Sequence, residues 1–203
     1  SALTNQHKRN AIQTEMASWT RTVAKQHNTL MESWFGKAGL SKMKPEEFIS
    51  KVYLNCANVK NDVGESALDK LYLKGENKSW IEAYSGVTKA HAERVLDILT
   101  DVSSVSEIPK NKRVCFTLVA STIAVDGLDV LDEELFVKSI TDLDDSMEKI
   151  SRAQHVKDDK DNKDVSIVTY YFEQMRLNWN HQYRHARVEN IWNEIRKNLS
   201  NYG

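Results

Sequence analysis

The residues of this chain whose spacing could best support chemistry are two histidines near its carboxyl end. His181 and His185 are four positions apart, so a helix would place both imidazoles on one side, and Glu189 continues the same row. A zinc protease helix, however, needs Glu directly after the first histidine, and Gln182 stands there. Because arginines are interleaved with the row, we expect no metal and no cofactor, and we interpret it as polar surface facing a partner or a phosphate.

Patterns typical of enzymes are missing from the sequence. It contains no phosphate-binding or dinucleotide-binding glycine motif, no nucleophile elbow and no cysteines at zinc spacing. The neighbouring acids Asp144 and Asp145 would point to different sides of a helix, which suits acid and base catalysis poorly. Cys56 and Cys115 lie among apolar residues and are interpreted as buried thiols outside any disulfide. We therefore expect a protein that is not an enzyme.

Basic side chains near both ends are the candidates for contact with nucleic acid. The chain as a whole has a formal charge of -1, but residues 1–44 have seven Lys or Arg against two Glu, a net of +5. Residues 126–164 have thirteen acids against six bases, a net of -7, and the last thirty residues turn basic again. This asymmetry either orients one copy against another or simply neutralises itself within one fold. The candidate phosphate contacts are Lys8, Arg9, Arg184 and Arg187.

The element that must position the carboxyl-terminal candidates is a run of 36 residues, 165–200, whose pattern predicts one helix with two apolar faces. The first stripe contains Val168, Phe172, Met175, Trp179, Tyr183 and Ala186, and the second contains Val188, Ile191, Trp192, Ile195 and Leu199. At about 100° per residue the two stripes lie on roughly opposite sides, so one straight helix cannot press both against one core. Either the helix breaks near Arg187, or its last turns dock on another molecule.

We expect the second stripe to be a protein interface. A large aromatic side chain such as Trp192 on a surface that its own domain does not cover is a candidate anchor for a partner. Base stacking by Trp192 beside Arg196 is a further possibility, although a helix surface offers no specific platform for it.

The composition predicts an all-α fold, a multi-helix domain with an orthogonal or bundle-like arrangement. Two prolines and seven glycines in 203 residues, with abundant helix formers, favour helices joined by short turns. We expect a helical core domain over residues 1–164 and a helical extension over residues 165–203. No apolar run approaches the roughly 20 residues of a membrane span and the polar amino terminus lacks a secretory signal, so we expect a cytoplasmic protein, or one within a nucleoprotein assembly, that is not secreted.

The amino-terminal part predicts one long amphipathic helix from about Thr4 to Phe35, stopped by Gly36 and Gly39. Its apolar positions are Ile12, Met16, Trp19, Val23, Leu30 and Trp34.

Pro45 predicts the start of the next helix, Gly75 the end of a short one, and Ser79 with Glu82 a capping box that opens a separate turn. The apolar positions of the predicted middle helices are Phe48, Val52, Cys56 and Val59, then Ala67, Leu68, Leu71 and Tyr72, then Ala92, Val95, Leu96, Leu99 and Val102.

The segment from Val114 to Val125 is predicted to be the centre of the core. It is apolar apart from three small hydroxyl residues, and we interpret it as a helix because it exceeds usual strand length and no second strand-like segment exists to pair with it. Asp126 and Gly127 are predicted to end it, and Leu135, Phe136 and Ile140 mark the following helix.

The segment Ala124-Val125-Asp126-Gly127, followed by three acids at 132–134, resembles the turn between helices in TerB-like helical domains. The likeness covers about a dozen residues. Since Asp-Gly turns between helices are common, it implies no site here.

Two functions remain open from the sequence. In the first, the protein is a structural or assembly subunit, nucleocapsid-like or coat-like, that self-associates through its terminal helices and contacts nucleic acid through its basic ends. In the second, it is a regulator or adaptor whose carboxyl-terminal helix lies in a groove of a different protein. The first is preferred, because the second stripe and the basic ends both fit it.

Overall fold

The described part of the chain is helical, with no strand. The computed structural model describes residues 4–12, 14–57, 64–73, 78–126, 133–134, 136–138 and 140–141, and of residues 78–87, 122 and 126 it describes the backbone alone. The helices are α1 (Asn5–Ala11), α2 (Glu15–Gln26), α3 (Asn28–Ser41), α4 (Lys44–Cys56), α5 (Glu65–Tyr72), α6 (Lys78–Val105) and α7 (Arg113–Asp126), with a 3₁₀ turn at Lys110–Lys112 before α7. The predicted all-α fold is therefore confirmed for the part of the chain that the structure describes.

Helix α4 lies at the centre of the described core. It packs against α1, α2, α3, α6 and α7. Pro45 occupies its first turn, as predicted. The acids at 46 and 47 lie in the same turn, where their negative charge interacts favourably with the positive end of the helix dipole. Ile49, Val52 and Leu54 have no exposed surface, so α4 is buried on several faces and not only along the edge that the sequence predicted.

Helices α6 and α7 pack against each other and complete the core. The predicted stripe of α6 is buried at all five positions from Ala92 to Val102. The interpretation of the next segment as a helix rather than a strand is confirmed, and its residues 115–121, 123 and 124 are buried. Phe136 and Ile140 are helical and buried, and the Phe136 ring meets the Phe116 ring edge to face at 6.1 Å.

The prediction of one unbroken helix from Thr4 to Phe35 is wrong. The chain leaves the helix after Ala11 and re-enters it at Glu15, where the Thr14 hydroxyl accepts a hydrogen bond from the backbone N–H of Ala17. It turns again at His27, between α2 and α3. Ile12, which the helical spacing of apolar residues places on the core stripe, is 48% exposed. The reason is that the hydroxyl cap competes with helix continuation at Thr14.

The glycines after residue 35 act differently from each other. Gly36 has φ of 61° and ψ of 176°, a conformation that interrupts the helix at that residue. Gly39 does not stop the helix, which runs on to Ser41. A Cβ at Gly39 would lie 2.7 Å from the Cβ of Phe35, so its role is close packing.

Helix α6 is longer than expected. The sequence predicted a short capped turn at Ser79 followed by a separate helix, but one helix runs from Lys78 to Val105. Ser79 is therefore inside the helix rather than its cap. Gly75, predicted to end α5, Val59, Gly127 and Leu135 lie outside the described residues, as does the domain boundary at residue 164.

Candidate functional site

The predicted carboxyl-terminal sites lie outside the described residues. This applies to the interface stripe of Val188, Ile191, Trp192, Ile195 and Leu199, to the basic candidates Arg184 and Arg187, and to the histidine row of His181, His185 and Glu189. Of the predicted site residues, the structure describes Lys8 and Arg9, both on α1.

Lys8 and Arg9 are neighbours in sequence but have opposite environments. Lys8 is partly exposed, whereas the Arg9 side chain is only 3% exposed. Arg9 Nε donates to Asp69 Oδ1 at 2.8 Å, and Arg9 Nη2 donates to the Glu65 carboxylate and to its backbone carbonyl. Because its guanidinium already contacts two carboxylates of α5, this placement argues against a phosphate-binding role for Arg9.

The charges around Arg9 stabilise one another. Burial by itself would lower the pKa of Arg9, but Glu65 and Asp69 offset this and the pKa is raised overall. Burial would raise the pKa of Glu65, but hydrogen bonds from Arg9 and Asn5 hold it below its usual value. The two carboxylate side chains are each 57% exposed, so solvent screens the pair and its net contribution is modest.

A buried group of polar side chains lies next to Arg9 and is centred on Tyr72 of α5. The Tyr72 hydroxyl accepts from Gln6 Nε2 at 2.9 Å and lies 2.8 Å from Ser50 Oγ and 3.3 Å from Thr20 Oγ1. Ser50 Oγ also donates to the Glu46 carbonyl at 2.7 Å. The group joins α1, α2, α4 and α5, and we call these four side chains, Gln6, Thr20, Ser50 and Tyr72, the Tyr72 cluster.

Helix α1 is held by polar contacts. Its buried residues are Gln6, Arg9 and Asn10, and no apolar residue of α1 is among them. Asn10 Nδ2 donates to the Met43 sulfur at 3.1 Å, and Gln6 Nε2 donates to Asn10 Oδ1 at 3.0 Å. A helix docked without apolar burial is unusual, because hydrophobic burial normally contributes most of the favourable free energy of packing. Periodicity could not predict this docking, since α1 lacks an apolar face.

Four lysines on α1, α2 and α3 and directly after α3 stand out within the part of the chain that the structure describes. Lys8, Lys25, Lys37 and Lys42 reach solvent and make no ion pair with another described residue. We call these four residues the free lysines. In contrast, Lys44 and Lys51 both pair with Glu47, at 2.8 and 2.9 Å.

Contacts around His7 bring part of this basic surface together. Thr4 Oγ1 donates to the Lys42 carbonyl at 3.3 Å, and His7 Nε2 lies 3.2 Å from the Ser41 carbonyl, so the start of α1 lies against the end of α3. Lys8 follows His7 directly in α1. Burial raises the pKa of the neighbouring Glu46 carboxyl, and the charges of Arg21 and His7 oppose that effect.

A second polar contact, which sequence reasoning missed, joins α2 and α3 to α6. Trp19 Nε1 donates to Glu93 at 2.6 Å, and His27 Nδ1 lies 3.0 Å from Thr100 Oγ1. The Thr100 hydroxyl donates to the Leu96 carbonyl, so its oxygen accepts from His27 and the Nδ1 atom carries the proton. Nε2 of His27 then faces Asp97 at 3.7 Å. The sequence did contain one indication of this contact. Glu93, Asp97 and Asp101 are spaced four residues apart, so they lie on one face of a helix.

An open cleft lies between α3 and the end of α6. It has a volume of about 200 Å³ and is lined by Ser33, Trp34, Ser103, Ser104, Val105, Ser106, Glu107 and Ile108. The Ser103 hydroxyl is buried without a hydrogen-bond partner among the described residues. Arg113 donates to the Trp34 carbonyl at 2.5 Å and stacks on its ring. Among the described residues, the Ser104 hydroxyl donates to the Asp101 carbonyl and no side-chain base hydrogen-bonds to a cleft serine hydroxyl, so a nucleophile and base pair is not seen there.

Metal ligands do not cluster in the described part of the chain, where no group of three His, Cys, Asp or Glu residues could hold an ion. Cys56 and Cys115 are buried thiols outside any disulfide, as predicted. None of the described helices is both long enough and apolar enough to cross a membrane.

Comparison with protein-family models, with curated proteins and with solved structures finds no match for this chain. The short likeness to TerB-like domains is therefore not supported by a family model.

Proposed function

We propose that this chain is a structural and assembly protein, not an enzyme, that self-associates through its terminal helices and contacts nucleic acid through basic side chains, as nucleocapsid or coat proteins do. The observation that carries the proposal is the second stripe, from Val188 to Leu199, which is displaced from the stripe before it. An apolar stripe that its own core does not cover needs a partner surface, and an identical copy is the simplest partner.

The free lysines support the nucleic-acid part of the proposal. Arg9 is withdrawn from the set of phosphate contacts because it pairs with Glu65 and Asp69, whereas Lys8 stays in it. Arg184 and Arg187 remain candidates from the sequence. When lysines that are not paired with acids bind phosphates, counterions are released from the nucleic acid, and this favours binding whatever the base sequence. Such binding suits a protein that packages nucleic acid.

The alternative is an adaptor whose carboxyl-terminal helix lies in a groove of a different protein. The same stripe supports it. The two functions differ in stoichiometry, because an assembly subunit forms concentration-dependent oligomers by itself and an adaptor stays monomeric.

The test of the proposal is light scattering over a range of concentrations, with Trp192→Ala and Ile195→Ala combined in one variant. We expect this variant to lose self-association by tenfold or more, because truncating a central aromatic anchor costs about 2 kcal/mol. Circular dichroism should show that its helix content is kept.

The matched control changes two polar positions of the same segment, Asn193→Ala with Asn198→Ala, and should associate like the native chain. A native chain that stays monomeric at every concentration contradicts the assembly function and favours the adaptor. Loss of the whole fold in the Trp192 and Ile195 variant would show that the stripe is core.

A further inference from the structure

We infer that α1 is an exchangeable arm: in the self-associated form, α1 of one copy docks on α5 of a second copy, and the connection between α1 and α2, which we call the hinge, becomes helical so that α1 and α2 form one helix. This inference rests on the proposed self-association and names one of the surfaces that would carry it.

The surface that receives α1 can receive the same helix from a second copy. Arg9 contacts Glu65 and Asp69, and Gln6 contacts Tyr72. Every one of these contacts joins α1 to a residue beyond the hinge. An identical α1 from another copy can therefore make the same contacts in the same place, which is the condition for exchange of an element between protomers.

The sequence of the hinge is compatible with a straight helix as well as with a break. The segment Ile12-Gln13-Thr14 contains neither Gly nor Pro, and the spacing of Ile12, Met16, Trp19 and Val23 continues a helical stripe through it. We call the chain whose α1 docks on its own α5 the closed form. In it Ile12 is 48% exposed, so the stripe is not buried at this residue. Straightened, Asn5 to Gln26 would be one helix about 33 Å long, at about 1.5 Å per residue.

The equilibrium between the closed form and the form with a straight helix depends on interactions within the hinge. The closed form has the Thr14 cap on Ala17 and a tight turn in which the Ile12 N–H donates to the Arg9 carbonyl. The straight form exchanges these for continuous helical hydrogen bonds and returns Ile12 to an apolar stripe. Since the docking contacts of α1 are common to both forms, exchange becomes favourable as the protein concentration rises.

The contact between Asn5 and Glu65 provides the test, because Asn5 Nδ2 donates to Glu65 Oε2 at 3.1 Å on exposed surface. One chain carries Asn5→Cys and a second carries Glu65→Cys. Asp69 keeps the ion pair with Arg9 in the second chain. The two are unfolded together, refolded at high concentration and treated briefly with a short bismaleimide.

We expect a covalent heterodimer joined between positions 5 and 65, identified by mass spectrometry of proteolytic fragments. The native chain is the negative control, since Cys56 and Cys115 are buried. A chain with both substitutions, refolded at low concentration, is the positive control and should form the link within itself.

Two results overturn the inference and differ in their meaning. If light scattering shows dimers but the link forms only within the doubly substituted chain, the arm is not exchanged and self-association stands. If the native chain is monomeric at every concentration, the proposed function fails with it.

Substitutions in the hinge give a second, independent readout. Thr14→Ala removes the cap that only the closed form has, and we expect the dimer fraction to rise, by about fivefold per arm in the equilibrium constant. Gln13→Gly weakens the straight helix and should lower the dimer fraction. Equal dimer fractions in the two variants would contradict a helical hinge.

Discussion

At the scale of single residues, two buried tyrosines differ in what their hydroxyls do. The Tyr72 hydroxyl lies within hydrogen-bond distance of Gln6, Ser50 and Thr20, the other members of the Tyr72 cluster. The Tyr53 hydroxyl is buried with no hydrogen-bond partner among the described residues. Since a buried polar atom costs free energy unless it is hydrogen-bonded, the two positions form a matched pair.

We expect Tyr72→Phe to lower the free energy of unfolding by about 2 kcal/mol, because three polar partners lose a common hydroxyl. Tyr53→Phe should change it by less than about 0.5 kcal/mol, or stabilise the protein, because it removes an unsatisfied group. Urea unfolding of both variants measures the difference. Equal losses would mean that the Tyr53 hydroxyl has a partner of its own.

His27 makes the stability depend on pH. Burial lowers the pKa of His27, although the charges of Asp97, Glu93 and Asp101 oppose the effect. Between this lowered pKa and the ordinary value of 6.5, the unfolded chain binds the proton that the folded chain refuses. The stabilisation by neutral His27 is therefore complete above about pH 6.5 and is lost as the pH falls through the pKa of the folded state.

His27→Gln should remove this part of the pH dependence, because an amide can donate to Thr100 without titrating. The measurement is the urea midpoint between about pH 5 and 8, compared with the native chain. Gln26→Ala, an exposed neighbour of His27 that does not titrate, is the control and should keep the native slope. An unchanged slope in His27→Gln would assign the pH dependence to other groups.

At the scale of elements, the described helices separate into those whose limits the sequence predicted and those whose limits it did not. The start of α4 beside Pro45 agrees with the prediction, because proline acts locally, whereas the predicted stop of α7 at Gly127 lies outside the described residues. The breaks at Thr14 and His27 were missed. At the second, His27 contacts a distant residue, Thr100, and periodicity along the chain does not contain such a contact.

The break in α3 leads to a prediction about Gly36. Its φ of 61° with ψ of 176° lies in a region that residues with a Cβ rarely adopt. A Cβ at this position would meet no atom within 4 Å, so a substitution acts through backbone strain and not through a clash. We expect Gly36→Ala to cost about 1 to 2 kcal/mol in unfolding free energy.

Thermal or urea unfolding checks this value. Lys37→Ala, next to Gly36 and exposed, is the control and should be within about 0.5 kcal/mol of the native chain. A neutral Gly36→Ala would mean that α3 continues through this residue without interruption.

At the scale of the whole molecule, the sequence predicted the fold class and most of the buried apolar positions, since helical periodicity is a local property. It placed the centre of the core in α7, and the structure adds α4, which contacts five other helices. The candidate site was harder to predict. Lys8 and Arg9 look alike in sequence, and only the folded position of Glu65 and Asp69 separates an available cation from a paired one.

The free lysines give a prediction about nucleic-acid binding. A variant with Lys8, Lys25, Lys37 and Lys42 all changed to Gln should bind more weakly to every sequence, and its affinity should depend less on salt, by about one unit of slope for each lysine that contacts a phosphate. Lys110→Gln, an exposed lysine before α7, is the control. Fluorescence anisotropy with labelled single-stranded and double-stranded probes measures both quantities. No binding by the native chain at about 50 mM salt would remove nucleic acid from the proposed function.

The two buried thiols can be used to measure how the core opens. Cys56 is the last residue of α4, Cys115 lies in the first turn of α7, and they are 6% and 7% exposed. A thiol reagent reaches either sulfur only after its helix has moved away from the helices around it. When reclosing is faster than labelling, the labelling rate gives the free energy of that opening, so the two cysteines report separately whether α4 and α7 open together as one cooperative unit.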